Sequence, residues 1–167
     1  MPEIAVDRVE FDDRGPRTTY DEFVVGESLG SMEWTVARDA VAGLLRNDQD
    51  QHEWYDEDSP AGYPVVPPMA TYPPVRMLFT RRHNVRGVFY RFRSEFVRPI
   101  RYGETLTITG SVCDKYVRRD REYVTYEATA VDADGAVVFR TWRTHALDYI
   151  TRDRPRSGKG VDSGLLS

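Results

Sequence analysis

The chain has 167 residues, with 27 acidic against 23 basic side chains and a net charge of −4, a balance that exerts no general pull on nucleic acid or anionic membranes. At 40% hydrophobic and 12% aromatic content it is too apolar for a disordered chain, and its length suits one domain with one sizeable core. The single cysteine, Cys113, excludes an internal disulfide, no Cys/His spacing suggests zinc, and neither a long apolar run nor an export-type leader at Met1 is present; a soluble, cytoplasmic protein that binds neither membrane nor nucleic acid is expected.

In chain order, residues 1–19 are charged and lack apolar periodicity, which predicts an arm. Residues 20–151 carry the ordered domain, and residues 152–167, rich in Arg, Gly and Ser, predict a flexible tail. Tyr20–Glu27 ends in a Gly-Glu turn. Ser31–Val36 is expected as a short strand with Met32, Trp34 and Val36 on one face. Ala37–Arg46 follows at helical spacing, with Val41, Leu44 and Leu45 on one side and Asp39 at the positive end of the helix dipole. From Pro68 to about Asn84 a second helix is expected. Because Pro73 and Pro74 fit only a first turn, its regular part is placed from about Pro74 to Arg82, with Met77, Leu78 and either Val75 or Phe79 buried.

From Val85 to Tyr149 the periodicity is two, which predicts four long antiparallel strands. In the first, Val88, Tyr90, Phe92 and Phe96 share a face; in the last, Val137–Tyr149, the large side chains are Phe139, Trp142, Leu147 and Tyr149. Asp132-Ala133-Asp134-Gly135 marks a hairpin. A long sheet with one apolar face needs a cover, and the second helix is the available one. The expected class is therefore α+β, a hot-dog fold whose long antiparallel sheet wraps a central helix. An uncovered sheet edge invites pairing, so two such domains side by side in a dimer are expected.

Between the helices lies the chain's most polar stretch. Asn47 to Glu53 is an unbroken run of amides, acids and one histidine, followed by Trp54, Tyr55 and a turn-rich passage ending in Pro67-Pro68. His52 is the candidate general base or water-positioning group, with Asp48 or Asp50 as its carboxylate partner. An exposed loop histidine among solvated acids would have the same sequence, and residue types alone leave the two readings even.

Three pieces of the chain, FVVGE, WYDEDSPAGYPVVPPM and FRSEFVRPIRYGETLTITGSV, resemble the MaoC-like hydratase/dehydratase family, in its branch related to fungal-type fatty-acid-synthase dehydratase domains. The resemblance covers roughly Tyr20 to Ile150. It implies a hot-dog domain acting on acyl thioesters of coenzyme A or acyl carrier protein, adding water reversibly across a 2-enoyl double bond without metal or redox cofactor. The family's catalytic motif is D-x-N-P-x-H. Aligned through Tyr55-Asp56, this chain has Gln49 at the aspartate and Trp54 at the histidine; aligned through the acids, it offers Asp48, Asp50 and His52, with the histidine one residue early. The family's His-Gly, whose glycine amide binds the thioester oxygen, is replaced by Pro67-Pro68, and Pro68 has no N–H to donate.

The resemblance therefore implies either of two roles. In one, the chain is a hydro-lyase in which His52 with Asp48 or Asp50 holds water and an amide between Val66 and Met69 polarises the carbonyl, with Trp54 and Tyr55 able to cap the acyl tunnel. In the other, it is a non-catalytic subunit that shapes the acyl site of a second MaoC-like chain, with Trp54 buried against the helix where the family histidine would sit and the tunnel mouth lined by Tyr55, Tyr63 and Val65. The partner is then a homodimer mate or a heterodimer mate. A hot-dog thioesterase or isomerase is a further alternative. Arg91, Arg93, Arg98 and Arg101 bracket one strand end, as groups for coenzyme A phosphates or an acidic carrier surface, or as a solvated face.

Overall fold

A computed structural model of the chain describes residues 15–85 and 87–147; the expected C-terminal tail, most of the arm, and Tyr149 lie outside them. Five strands, β1 (Ser28–Thr35), β2 (Val88–Phe96), β3 (Thr105–Arg118), β4 (Arg121–Val131) and β5 (Val137–Ala146), form one antiparallel sheet in the order β1-β3-β4-β5-β2. Helix α1 (Arg38–Asp48) follows β1, and helix α2 (Tyr72–Thr80) precedes β2. A sheet curved over one central helix is the hot-dog architecture. Of the described helices, none is long and apolar enough to cross a membrane.

Turn chemistry sets the strand pairing. Arg119 and Asp120 both adopt left-handed backbone (φ 52° and 57°), the twist a tight hairpin between β3 and β4 requires. Between β4 and β5, the Asp132 carboxylate accepts the N–H groups of Asp134 (3.1 Å) and Ala136 (2.9 Å), while Gly135 takes φ +80°. At the domain's start, Asn84 holds residues 15–18: its Nδ2 donates to the Gly15 and Pro16 carbonyls, and Thr18 exchanges hydrogen bonds with its backbone.

Helix α2 begins at Tyr72, ahead of the expected Pro74. It is preceded by a 3-10 turn, Pro68–Thr71, and both prolines sit in its first turn, where a missing N–H costs nothing. Its buried face is Pro74, Val75, Leu78 and Phe79. Met77, expected inside, is 44% exposed, because a period of 3.6 residues turns it away from that stripe. Phe79 stacks on Tyr126 of β4 with ring centroids 4.1 Å apart. Leu78 presses on β3 at Gly110, where a Cβ would lie 2.9 Å from Leu78 Cδ2 and 2.7 Å from the Glu127 carbonyl oxygen; only glycine lets the helix approach so closely.

Two further expectations change. Strand β1 starts earlier and ends at Thr35, although Val36 is buried as expected. In β2, a register irregularity between Phe89 and Arg91 breaks the alternation. Val88, Tyr90, Phe92 and Phe96 are all exposed, with Phe92 at 53%. Strand β2 is an edge strand, and its apolar side chains stand uncovered on this chain.

Candidate functional site

The polar stretch folds into a compact corner after α1. Gln49 ends the helix in left-handed backbone (φ 55°) and returns its N–H to the Leu45 carbonyl. His52 then caps a 3-10 turn, Glu53–Tyr55, its Nδ1 accepting the Trp54 N–H at 3.2 Å. The Trp54 ring meets the imidazole edge-on with centroids 4.8 Å apart. Tyr55 donates its hydroxyl proton to Asp50 Oδ2 at 2.9 Å. Burial, and then the hydrogen bond to the Asp50 carboxylate, push the Tyr55 phenol up to about 12, so it stays a donor at neutral pH.

This arrangement does not make the expected pair. Among the described residues no hydrogen bond joins His52 to Asp48 or Asp50: Asp50 is held by Tyr55, and Asp48 is exposed on the last turn of α1. With Nδ1 used as an acceptor, a neutral His52 carries its proton on Nε2. The free nitrogen is then a donor, whereas a general base must present a lone pair.

Beside this corner runs a groove of about 710 Å³, bounded by His52, Trp54, Tyr55, Val65, Val66 and Pro68 on one wall. Phe96 to Ile100, the connection leaving β2, forms the other wall. Backbone bonds brace them: Val65 N–H donates to the Trp54 carbonyl within the first wall (2.8 Å), and Val66 N–H joins it to the Ile100 carbonyl of the other (2.9 Å). Trp54, expected to be buried against the helix in the non-catalytic role, is instead 40% exposed at the rim, because the 3-10 turn that His52 caps carries it outward. Tyr63, expected at the mouth, is not part of the lining. It braces the wall through a hydrogen bond to the Pro99 carbonyl (3.2 Å) and carries the Arg101 guanidinium 4.2 Å over its ring. Of the amides between Val66 and Met69, that of Val66 is engaged and Pro68 has none. Met69 lies in the first turn of the Pro68–Thr71 segment, where N–H groups lack an intrahelical acceptor.

The arginines of the RPIRYGE segment are structural. Arg98 forms a two-pronged pair with Glu104 (3.0 and 2.7 Å) and reaches Asp132 at 3.2 Å. Burial opposes ionisation of Glu104, but the hydrogen bonds from Arg98 and from the Arg101 N–H hold its carboxyl below the usual range. Gly103 supplies the positive φ (+82°) of the turn. Arg93 pairs with Glu95 and lies over Trp142; Arg91, Arg93 and Arg101 are all exposed, and Arg98 is half-buried.

A smaller apolar cavity of about 40 Å³ adjoins the groove, with Pro68 and Phe96 common to both. Its wall adds Met69, Tyr72, Phe89, Phe92 and Arg143. Arg143, on β5, was not among the candidate residues. Its signal was strand phase: Phe139, Thr141, Arg143 and His145 alternate together, so an inward Phe139 places the arginine inside too.

No family model and no curated protein matches the sequence. Solved structures do match in fold. An R-hydratase from Pseudomonas aeruginosa superposes with a TM-score of 0.62 at 14% identity, over 78% of this chain and 86% of that one. The chain is likewise similar to a C-terminally truncated (3R)-hydroxyacyl-ACP dehydratase complex from Mycobacterium tuberculosis (TM-score 0.62, 19% identity, 69% and 90% covered). A MaoC-like dehydratase from Rhodospirillum rubrum gives a TM-score of 0.60 at 16% identity, over 80% and 97% of the two chains.

Proposed function

We propose that this chain is a MaoC-like subunit of an acyl-thioester hydratase/dehydratase, one that shapes the acyl site while a partner chain supplies the acid–base pair. The substrate is a 2-enoyl or 3-hydroxyacyl thioester of coenzyme A or acyl carrier protein, used without metal or redox cofactor in the cytoplasm. The observation that carries this reading is the diversion of the local acids and imidazole. Asp50 is spent on Tyr55 and the His52 Nδ1 on the Trp54 amide, beside a groove still lined for an apolar acyl chain.

Hydration adds water at C3 and a proton at C2, and dehydration is the reverse. Both need a group that takes a proton from water and returns it. The partner brings that group to the groove by pairing along β2, whose exposed Tyr90, Phe92 and Phe96 are covered when the two sheets join. This chain contributes the groove walls and, where the thioester oxygen is held on this side, the Met69 amide. The heteromeric dehydratase among the similar folds supports such a division of labour.

A second reading rests on one observation: His52 lines the groove, so a flip of its ring would free Nδ1 and make it a base. Steady-state hydration of crotonyl-coenzyme A separates the two. The subunit reading expects little or no turnover by the purified chain and full turnover once a chain carrying D-x-N-P-x-H is added; full turnover by the chain alone supports His52, and release of free thiol supports a thioesterase.

A further inference from the structure

The cavity that adjoins the groove is lined mainly by apolar side chains, with Thr71 and Ser94 among them, and it holds one cation, Arg143. Arg143 is 3% exposed. Its guanidinium donates to the Thr71 and Tyr72 carbonyls (3.1 and 2.9 Å) and lies between the rings of Tyr72 and Phe89. Among the described residues it forms no ion pair, and its Nε is buried without a hydrogen-bond partner. The hydroxyl of Tyr126 lies against the guanidinium and interacts with it, and His145 Nε2 is buried without a hydrogen-bond partner. Arg76 adds a second positive charge toward His145. A helix held in place by two carbonyl contacts does not need a full charge, since a neutral donor makes the same bonds. A buried cation without a counterion is among the costlier things a core can contain.

Resting on the acyl-thioester reading above, we infer that Arg143 receives a carboxylate carried by the acyl group, so that the substrate is a dicarboxylic half-thioester. The thioester lies in the groove and the apolar carbons pass Pro68 and Phe96, the residues common to groove and cavity. The carboxylate then supplies the negative charge and the acceptor that Arg143 lacks. A plain alkyl chain would leave the cation as unpaired as before, and specificity for the charged group follows from that difference.

Non-reacting thioesters test this whether or not the chain turns over alone. Succinyl- and glutaryl-coenzyme A are titrated against butyryl- and valeryl-coenzyme A, with binding read by calorimetry and by the fluorescence of Trp54 at the groove rim. The dicarboxylic member of each pair is expected to bind about tenfold tighter or more, the scale of one hydrogen bond to a charged group. Arg143→Met should erase the preference, so that the dicarboxylic and alkyl members of each pair bind alike, and Arg143→Lys should retain part of it. Equal affinity for both members in the unsubstituted protein overturns the inference alone, and needs no variant to fold. Binding of neither overturns the acyl-thioester reading and this inference with it.

Discussion

Tyr55 and Asp50, five residues apart, close on each other through a 2.9 Å hydrogen bond in which the phenol donates to the carboxylate. That contact occupies one of the two acids that were candidates to orient His52. It also makes a direct prediction. Tyr55→Phe should release Asp50, cost the corner about 1 kcal/mol of local stability, and let the carboxylate approach His52. Two-dimensional NMR at one fixed pH should then show the His52 ring nitrogen shifts move as the carboxylate comes within hydrogen-bond reach. Unchanged shifts would mean that Asp50 cannot reach His52 even when freed.

Much of the fold was legible because its signals are local. The long alternating runs, the Asp132–Gly135 hairpin and the helical spacing of α1 each reflect a short stretch of backbone. The start of α2 was not, since two prolines in sequence look like a break until both are seen to occupy a first turn. The site was harder still. The cluster Asp48, Asp50 and His52 advertises acid–base chemistry by composition, but direction decides it. A left-handed residue at Gln49 and a histidine turned back onto the Trp54 amide send the groups apart. Arg143 was missed for the opposite reason, because charged residues are read as exposed unless strand phase is followed through.

Stability should depend on pH through His145. Burial, and then the nearby Arg76 and Arg143 charges, lower its pKa from 6.5 to about 4. The unfolded chain therefore binds the proton first, and stability present in full above 6.5 is lost as pH falls toward 4. The loss approaches about 3 kcal/mol if the shift is fully expressed. His83, also lowered chiefly by burial, acts in the same sense. Urea denaturation across this range should show the slope, and His145→Gln should flatten it. Stability that is level from neutral to mildly acid pH would contradict the buried neutral imidazole.

The stack of Phe79 on Tyr126 joins the central helix to the middle of the sheet. Phe79→Ala should cost about 3–5 kcal/mol, the range for truncating a fully buried aromatic, seen as a lower denaturation midpoint with little change in slope. A loss below about 1 kcal/mol would mean that the helix is not packed as described.

The exposed face of β2 should be an assembly surface. Phe92→Glu places a charge among Tyr90, Phe92 and Phe96 and should shift the chain from dimer toward monomer, or weaken a mixed complex, without unfolding it. Light scattering at micromolar concentration reads the outcome. A wild-type chain that is monomeric both alone and with its partner would count against pairing along this edge.

The central claim is that this chain shapes an acyl site whose proton chemistry is done by another chain, and His52→Ala in the assembled hydratase tests it most directly. If the claim holds, the variant retains crotonyl-coenzyme A hydration within about threefold, because only a groove-lining ring is lost. A fall of about two to four orders of magnitude in kcat, the range for removing a general acid–base group, with folding and assembly intact, would contradict it and return the catalytic role to His52.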